Sequence, residues 1–131
     1  MMVVRTYLAL SPIHGVGLFA AEPIAVGAPI CVFDERYDLI FIDKEVETMP
    51  APMQLFVRCF GFKDPLDPGF TFCDFDNGRF MNHSDTPNVN QVDGVNYAAR
   101  DIPAGEELTC DYRLLGVWEL TQPEEMNKSR N

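Results

Sequence analysis

The stretch RFMNHSDTPN, Arg79 to Asn88, crowds an arginine, a histidine, two asparagines, a serine and an aspartate into ten residues of a chain that is 47% apolar. Three readings compete for it: a solvated loop, a glycosylation acceptor, or part of an active site. Asn-His-Ser fits the N-x-S acceptor pattern, but that requires a secretory route, and the N-terminal residues show no signal-peptide run. The loop reading does better on local chemistry. Asn82, Ser84, Asp85 and Asn88 can each bond nearby backbone and form turns ahead of Pro87, and His83 can be a satisfied, partly buried side chain. Read alone, the stretch is a polar loop.

Working outward, 131 residues suffice for one domain with its own core and no disulfide staples. The ten phenylalanines exclude general disorder, and only the polar end PEEMNKSRN is expected to fray. Twenty acidic against ten basic side chains give a formal charge of −10, which disfavours nucleic acid and anionic membrane and suits a basic protein or peptide; the same charge also serves plain solubility. Cys31, Cys59, Cys73 and Cys110 are scattered, form no C-x-x-C pair, and read as buried thiols of a reducing compartment. No segment approaches the roughly 18 apolar residues of a membrane span. A soluble, cytoplasmic protein is the expectation, and no readable signal decides whether it acts in its own cell or in a host.

Short apolar or alternating runs recur between turn signals: VVRTYLAL, GLFA, PICVF, DLIFI, FTFCDF, VNQV, VNYAA and ELTCDY. Their length and their Val, Ile, Phe and Tyr content predict strands. Asp93-Gly94 supplies the two positive-φ positions of a tight hairpin, and Pro103 with Gly105 marks a second turn. One window differs: in APMQLFVRCFGF the apolar positions Met53, Leu55, Phe56, Cys59 and Phe60 fall near helical spacing, with Pro52 suited to a first turn and Gly61 to the end. One short helix is predicted at about residues 52–60. No internal repeat separates the chain into parts.

Two further constellations stand beside the opening stretch. In SPIHGVGLFAAEPIAVG, residues 11–27, a Gly-x-Gly lets the backbone approach a ligand closely and turn N–H groups toward a carboxylate, although it also occurs in simple turns and lacks the rest of a dinucleotide fingerprint. GEELTCDY, residues 105–112, reads alone as an edge strand carrying surface carboxylates. Together, in this order and spacing, the three segments resemble the SET domain, a family of S-adenosylmethionine-dependent protein lysine methyltransferases. The resemblance runs from about Ser11 to Tyr112 and is carried by HGVGLFA, RFMNHSDTPN and ARDIPAGEELTCDY.

The resemblance implies a mainly β fold of several small curved sheets, with a knot-like crossing where the Asn-His-Ser and Asp-Tyr segments meet. It implies one domain over residues 1–131: a core at about 5–112, an insert at about 44–70 that holds the helix, and a C-terminal segment 113–131. It implies S-adenosylmethionine as cofactor, with Gly15, Val16, Gly17, Arg79, Phe80, Asn82 and His83 as its binding residues, Arg79 and Phe80 leading into the Asn-His segment. Tyr112 is the implied catalytic tyrosine, and it lines the substrate channel with Cys110. Glu107 and Asp111 are expected to hold the crossing strands together.

Two departures bear on these expectations. Cys110 stands where many members carry an aromatic residue, so the number of methyl groups added is left open. Asp85 stands where many histone-directed members place a cysteine, and the tail RLLGVWELTQPEEMNKSRN has none, so no zinc is expected. Within LLGVWEL, Trp118 and its apolar neighbours read either as a lid over the cofactor or as a core or homodimer contact. The leading activity is methyl transfer to the ε-amine of lysine in a basic protein or peptide. The alternative is a catalytically weak or inactive SET-like module that binds cofactor or protein. A metal-dependent hydrolase built on His83, Asp85 and Asp111 lacks a second well-placed histidine, His14 being the only other.

Overall fold

A computed structural model describes residues 1–63 and 67–114. Among the described residues, nine short strands form four small sheets: β1 (Thr6–Leu10), β2 (Val16–Ala20), β3 (Pro29–Val32), β4 (Leu39–Ile42), β5 (Phe70–Cys73), β6 (Asn82–His83), β7 (Val89–Val92), β8 (Val95–Ala98) and β9 (Thr109–Cys110). β1 pairs with β2, β4 with β5, and β3, β8 and β7 line up in that order, all antiparallel. β6 and β9 form the one parallel pair among the described strands, Asn82 opposite Thr109 and His83 opposite Cys110. Strands too short to bury much alone are joined here by a shared core.

That core gathers Leu18, Ala20, Ile24, Ile30, Cys31, Met81, Val89, Ala98, Ile102 and Leu108, drawn from elements far apart in the chain. The run 105–110 stitches two sheets together. Its first half follows the free edge of β2: Ala20 N–H donates to Glu106 O at 2.9 Å and Leu108 N–H to Leu18 O at 2.7 Å. Its second half becomes β9 and pairs with β6. One segment thus carries the Gly-x-Gly strand and the Asn-His strand to a common seam.

The hairpin forms as the sequence predicts, with Asp93 at φ 49° and Gly94 at φ 76°. The predicted helix is α2, Ala51–Phe60, ended by Gly61, whose N–H donates to Val57 O at 2.8 Å. It is preceded by a one-turn helix, α1 (Asp43–Val46), so two helices stand among the described residues here where the sequence predicted one. Four residues carry too little periodicity to announce themselves. Two 3₁₀ turns, Asn77–Phe80 and Tyr112–Leu114, flank the parallel pair. Cys31, Cys59 and Cys73 are buried and Cys110 partly so, none of them in a disulfide; burial, followed by the nearby Asp74 carboxylate, pushes Cys31 up to about 12.

Candidate functional site

The site is built up from Gly17, where β2 enters the core. A Cβ at Gly17 would lie 2.3 Å from Glu107 Oε1 and 3.0 Å from Ser11 Cβ, so only glycine admits the Glu107 carboxylate at this distance. The Ser11 hydroxyl donates to that carboxylate, at 2.8 Å from Oε1 and 2.9 Å from Oε2, and accepts the N–H groups of Ile13 and His14 at 2.9 and 3.2 Å. Ser11 N–H donates to Gly15 O at 2.8 Å, and Gly15 takes φ 50° to close the turn. Ser11 therefore shapes the Gly-x-Gly segment and ties it to Glu107.

Asn82 completes the hub. Its Nδ2 donates to Glu107 Oε1 at 2.9 Å and to His14 O at 3.0 Å, with Val16 O at 3.5 Å. A carboxylate only accepts, so it holds the amide nitrogen of Asn82 toward itself and turns Oδ1 the other way. Asn82 has no exposed surface, and its Oδ1 has no hydrogen-bond partner among the described residues. A buried, unpaired acceptor is costly unless something else meets it.

His83 and Tyr112 close the other side of the seam. Tyr112 N–H donates to His83 Nδ1 at 3.1 Å, which places the ring proton on Nε2, 3.3 Å from Asp85 Oδ1. The two rings lie 5.4 Å apart between centroids. Tyr112 is only 3% exposed, and its hydroxyl donates to Met81 O at 2.7 Å. Asp111 lies 3.7 Å from His83 Nδ1 and holds Arg113 through a two-pronged contact at 2.8 and 2.9 Å; that guanidinium also keeps the Asp111 carboxyl below its ordinary value. Arg113 reaches Asp85 at 3.2 Å, so an ionic clasp spans the two segments at the surface.

The structure brings Gly15, Val16, Gly17, Asn82, His83, Cys110 and Tyr112 to one seam. Arg79 and Phe80 stand beside it, facing α2. The Arg79 guanidinium lies 5.1, 5.8 and 5.9 Å from the rings of Phe80, Phe60 and Phe56, and its Nη1 donates to Phe75 O at 2.8 Å. Of the lid stretch only Leu114 is described, at the end of the 3₁₀ turn and exposed; Trp118, the rest of that stretch and the end expected to fray lie outside the described residues.

Ser11 and Asn88 are the parts that sequence reasoning missed. Ser11 enters the sequence reading only as the first residue of the Gly-x-Gly stretch, with no role of its own. Asn88, read as bonding its own turn, is buried and reaches across the chain: Nδ2 donates to Glu106 Oε1 at 2.9 Å and Glu107 O at 2.8 Å, and Oδ1 accepts Thr109 N–H at 2.9 Å. No local pattern marks an asparagine whose partners lie 18 to 21 residues away. Its local bonding capacity was real, and the seam outcompeted it.

Comparisons with known proteins bear on the family and the fold. The family model described as "SET domain" matches residues 15–113. The candidate histone-lysine N-methyltransferase 1 of Plasmodium falciparum is 31% identical over 120 residues, 84% of this chain. The Aspergillus oryzae histone-lysine N-methyltransferase, H3 lysine-4 specific, is 32% identical over 130 residues, 85% of this chain. The chain spans only 2% and 10% of the lengths of these relatives. Among solved structures, a candidate histone methyltransferase of Plasmodium falciparum superposes with a TM-score of 0.58 at 19% identity, covering 83% of this chain and 93% of that one. A humanized mutant of the Chaetomium thermophilum Polycomb Repressive Complex 2, bound to the inhibitor GSK126, gives 0.62 at 24% identity, covering 83% of this chain and 15% of that one. These likenesses concern the fold.

Proposed function

The chain belongs to the SET domain family, and from that premise we propose that it transfers a methyl group from S-adenosylmethionine to the ε-amine of lysine in a basic protein or peptide. The observation that carries this reading is the buried, unpaired Oδ1 of Asn82, set beside the Gly-x-Gly turn and the hydroxyl-bearing ring of Tyr112. An acceptor in that position fits the ammonium-bearing, amino-acid end of the cofactor, and Gly15, Val16 and Gly17 fit its backbone-lined flank. His83 adds a ring whose donor and acceptor sides are already assigned. S-adenosylmethionine, when bound, supplies a methyl group on a positively charged sulfur.

The chain's own residues have the remaining work. A lysine amine must arrive neutral, because its lone pair forms the new bond; with an ordinary pKa near 10.4, deprotonation at pH 7 costs about 4.6 kcal/mol at about 1.36 per pH unit. A dry channel lowers that cost by disfavouring the ammonium form. Tyr112 suits such a channel: its proton is committed to Met81 O, so its oxygen meets an incoming N–H as an acceptor and orients it. Cys110, half-buried opposite His83, gives the channel a small wall. Arg79 and Phe80 brace the segment from the α2 side. The excess of acidic side chains supports a basic substrate.

The test is to titrate the protein with S-adenosylmethionine in a calorimeter and incubate it with the labelled cofactor and lysine-rich proteins between pH 7 and 9. Binding followed by label on protein is the expected result. Binding without transfer across the panel would favour a SET-like module without turnover, and no binding at all would overturn the cofactor assignment.

A further inference from the structure

We infer that Glu107, working with Ser11, is a positioning residue that sets the orientation of the Asn82 carboxamide and the shape of the Gly-x-Gly turn together. This rests on the cofactor reading above and deepens it. Glu107 Oε1 takes one hydrogen of the Asn82 amide at 2.9 Å, and His14 O takes the other at 3.0 Å. The Ser11 hydroxyl gives its single hydrogen to the same carboxylate and uses its oxygen for the N–H groups of Ile13 and His14. Each donor in the hub is thus matched to one acceptor, and the residual group is Asn82 Oδ1. The carboxylate leaves an acceptor over, aimed away from itself, which is what a cationic N–H donor requires.

The geometry makes the assignment specific. Glutamine at position 107 would present one acceptor and one donor to two donors. Either the Ser11 hydroxyl loses its acceptor and the turn at 11–15 loosens, or Asn82 flips, breaks its bond to His14 O and offers NH₂ where Oδ1 stood. Both outcomes weaken a ligand that needs Oδ1, while the side-chain volume is nearly unchanged. Gly17 belongs to the same device, because any Cβ there displaces Glu107.

The experiment compares wild type, Glu107→Gln, Ser11→Ala and the double variant by calorimetric S-adenosylmethionine binding, thermal unfolding and nitrogen-15 spectra of the Asn82 side-chain amide. Glu107→Gln and Ser11→Ala should each weaken cofactor binding at least tenfold, and the double variant should be no weaker than the worse single one, because both act through one hub. Protection of the Asn82 amide from solvent exchange should be lost in Glu107→Gln even without cofactor. Affinity within twofold of wild type in the folded Glu107→Gln protein, or fully additive losses, would overturn the positioning role. If Glu107→Gln fails to fold, Ser11→Ala alone decides by the same tenfold criterion. If wild type binds no cofactor, the parent reading falls, and the Asn82 amide spectra still decide whether Glu107 and Ser11 set its orientation.

Discussion

Tyr112 and Asn88 show two ways in which a single buried polar group serves this site. Tyr112 has its ring against His83 and its hydroxyl on Met81 O. Tyr112→Phe keeps the ring and removes the oxygen, so kcat should fall at least tenfold, on the order of the factors that positioned polar groups contribute, while S-adenosylmethionine affinity stays within about threefold. Steady-state kinetics beside calorimetry check this; unchanged turnover with intact binding contradicts the assigned role. Asn88 carries no proposed chemistry. It satisfies Glu107 O and Thr109 N–H inside the protein, and Asn88→Ala should lower unfolding stability by about 2 to 3 kcal/mol, read from urea denaturation.

At the scale of elements, the strands were legible because each is a short apolar run between turn residues, and the Asp93-Gly94 hairpin because only a few residue types accept its backbone. Gly94 sits at φ 76° with nothing within 4 Å of where a Cβ would stand. Gly94→Ala therefore tests backbone strain without a clash, and should cost about 1 kcal/mol with an unchanged denaturant slope. The parallel pair β6–β9 was not legible from local pattern. Two residues on each side carry no alternation, and what joins them is the long-range reach of Asn82, Asn88 and Glu107. Helix α1 escaped for the same reason of length. The family resemblance brought the seam into view, since it ties distant segments that periodicity treats separately. It left unmarked the serine that turns the Gly-x-Gly segment into part of the hub.

For the whole molecule, acidity is both an asset and a load. Burial raises the Asp74 carboxyl from 3.8 to about 6, the amino-terminal ammonium opposes the shift, and Asp38 and Asp76 add to it. Since the folded form holds this proton more tightly than the unfolded chain, stability is greatest below about pH 3.8 as far as this group is concerned, and falls as pH rises through about 6. Asp74→Asn removes the load: it should raise stability by about 2 to 3 kcal/mol at pH 8 and by little near pH 4, measured by denaturation at both pH values. Under the proposed function, the same excess of carboxylates favours a basic substrate. The measurement that tests the central claim most directly is peptide mapping of a lysine-rich acceptor after incubation with labelled S-adenosylmethionine, wild type beside Tyr112→Phe. Label confined to lysine side chains and greatly reduced in the variant is the result predicted. Cofactor bound by wild type with no label on any lysine, or equal label from both proteins, would contradict it.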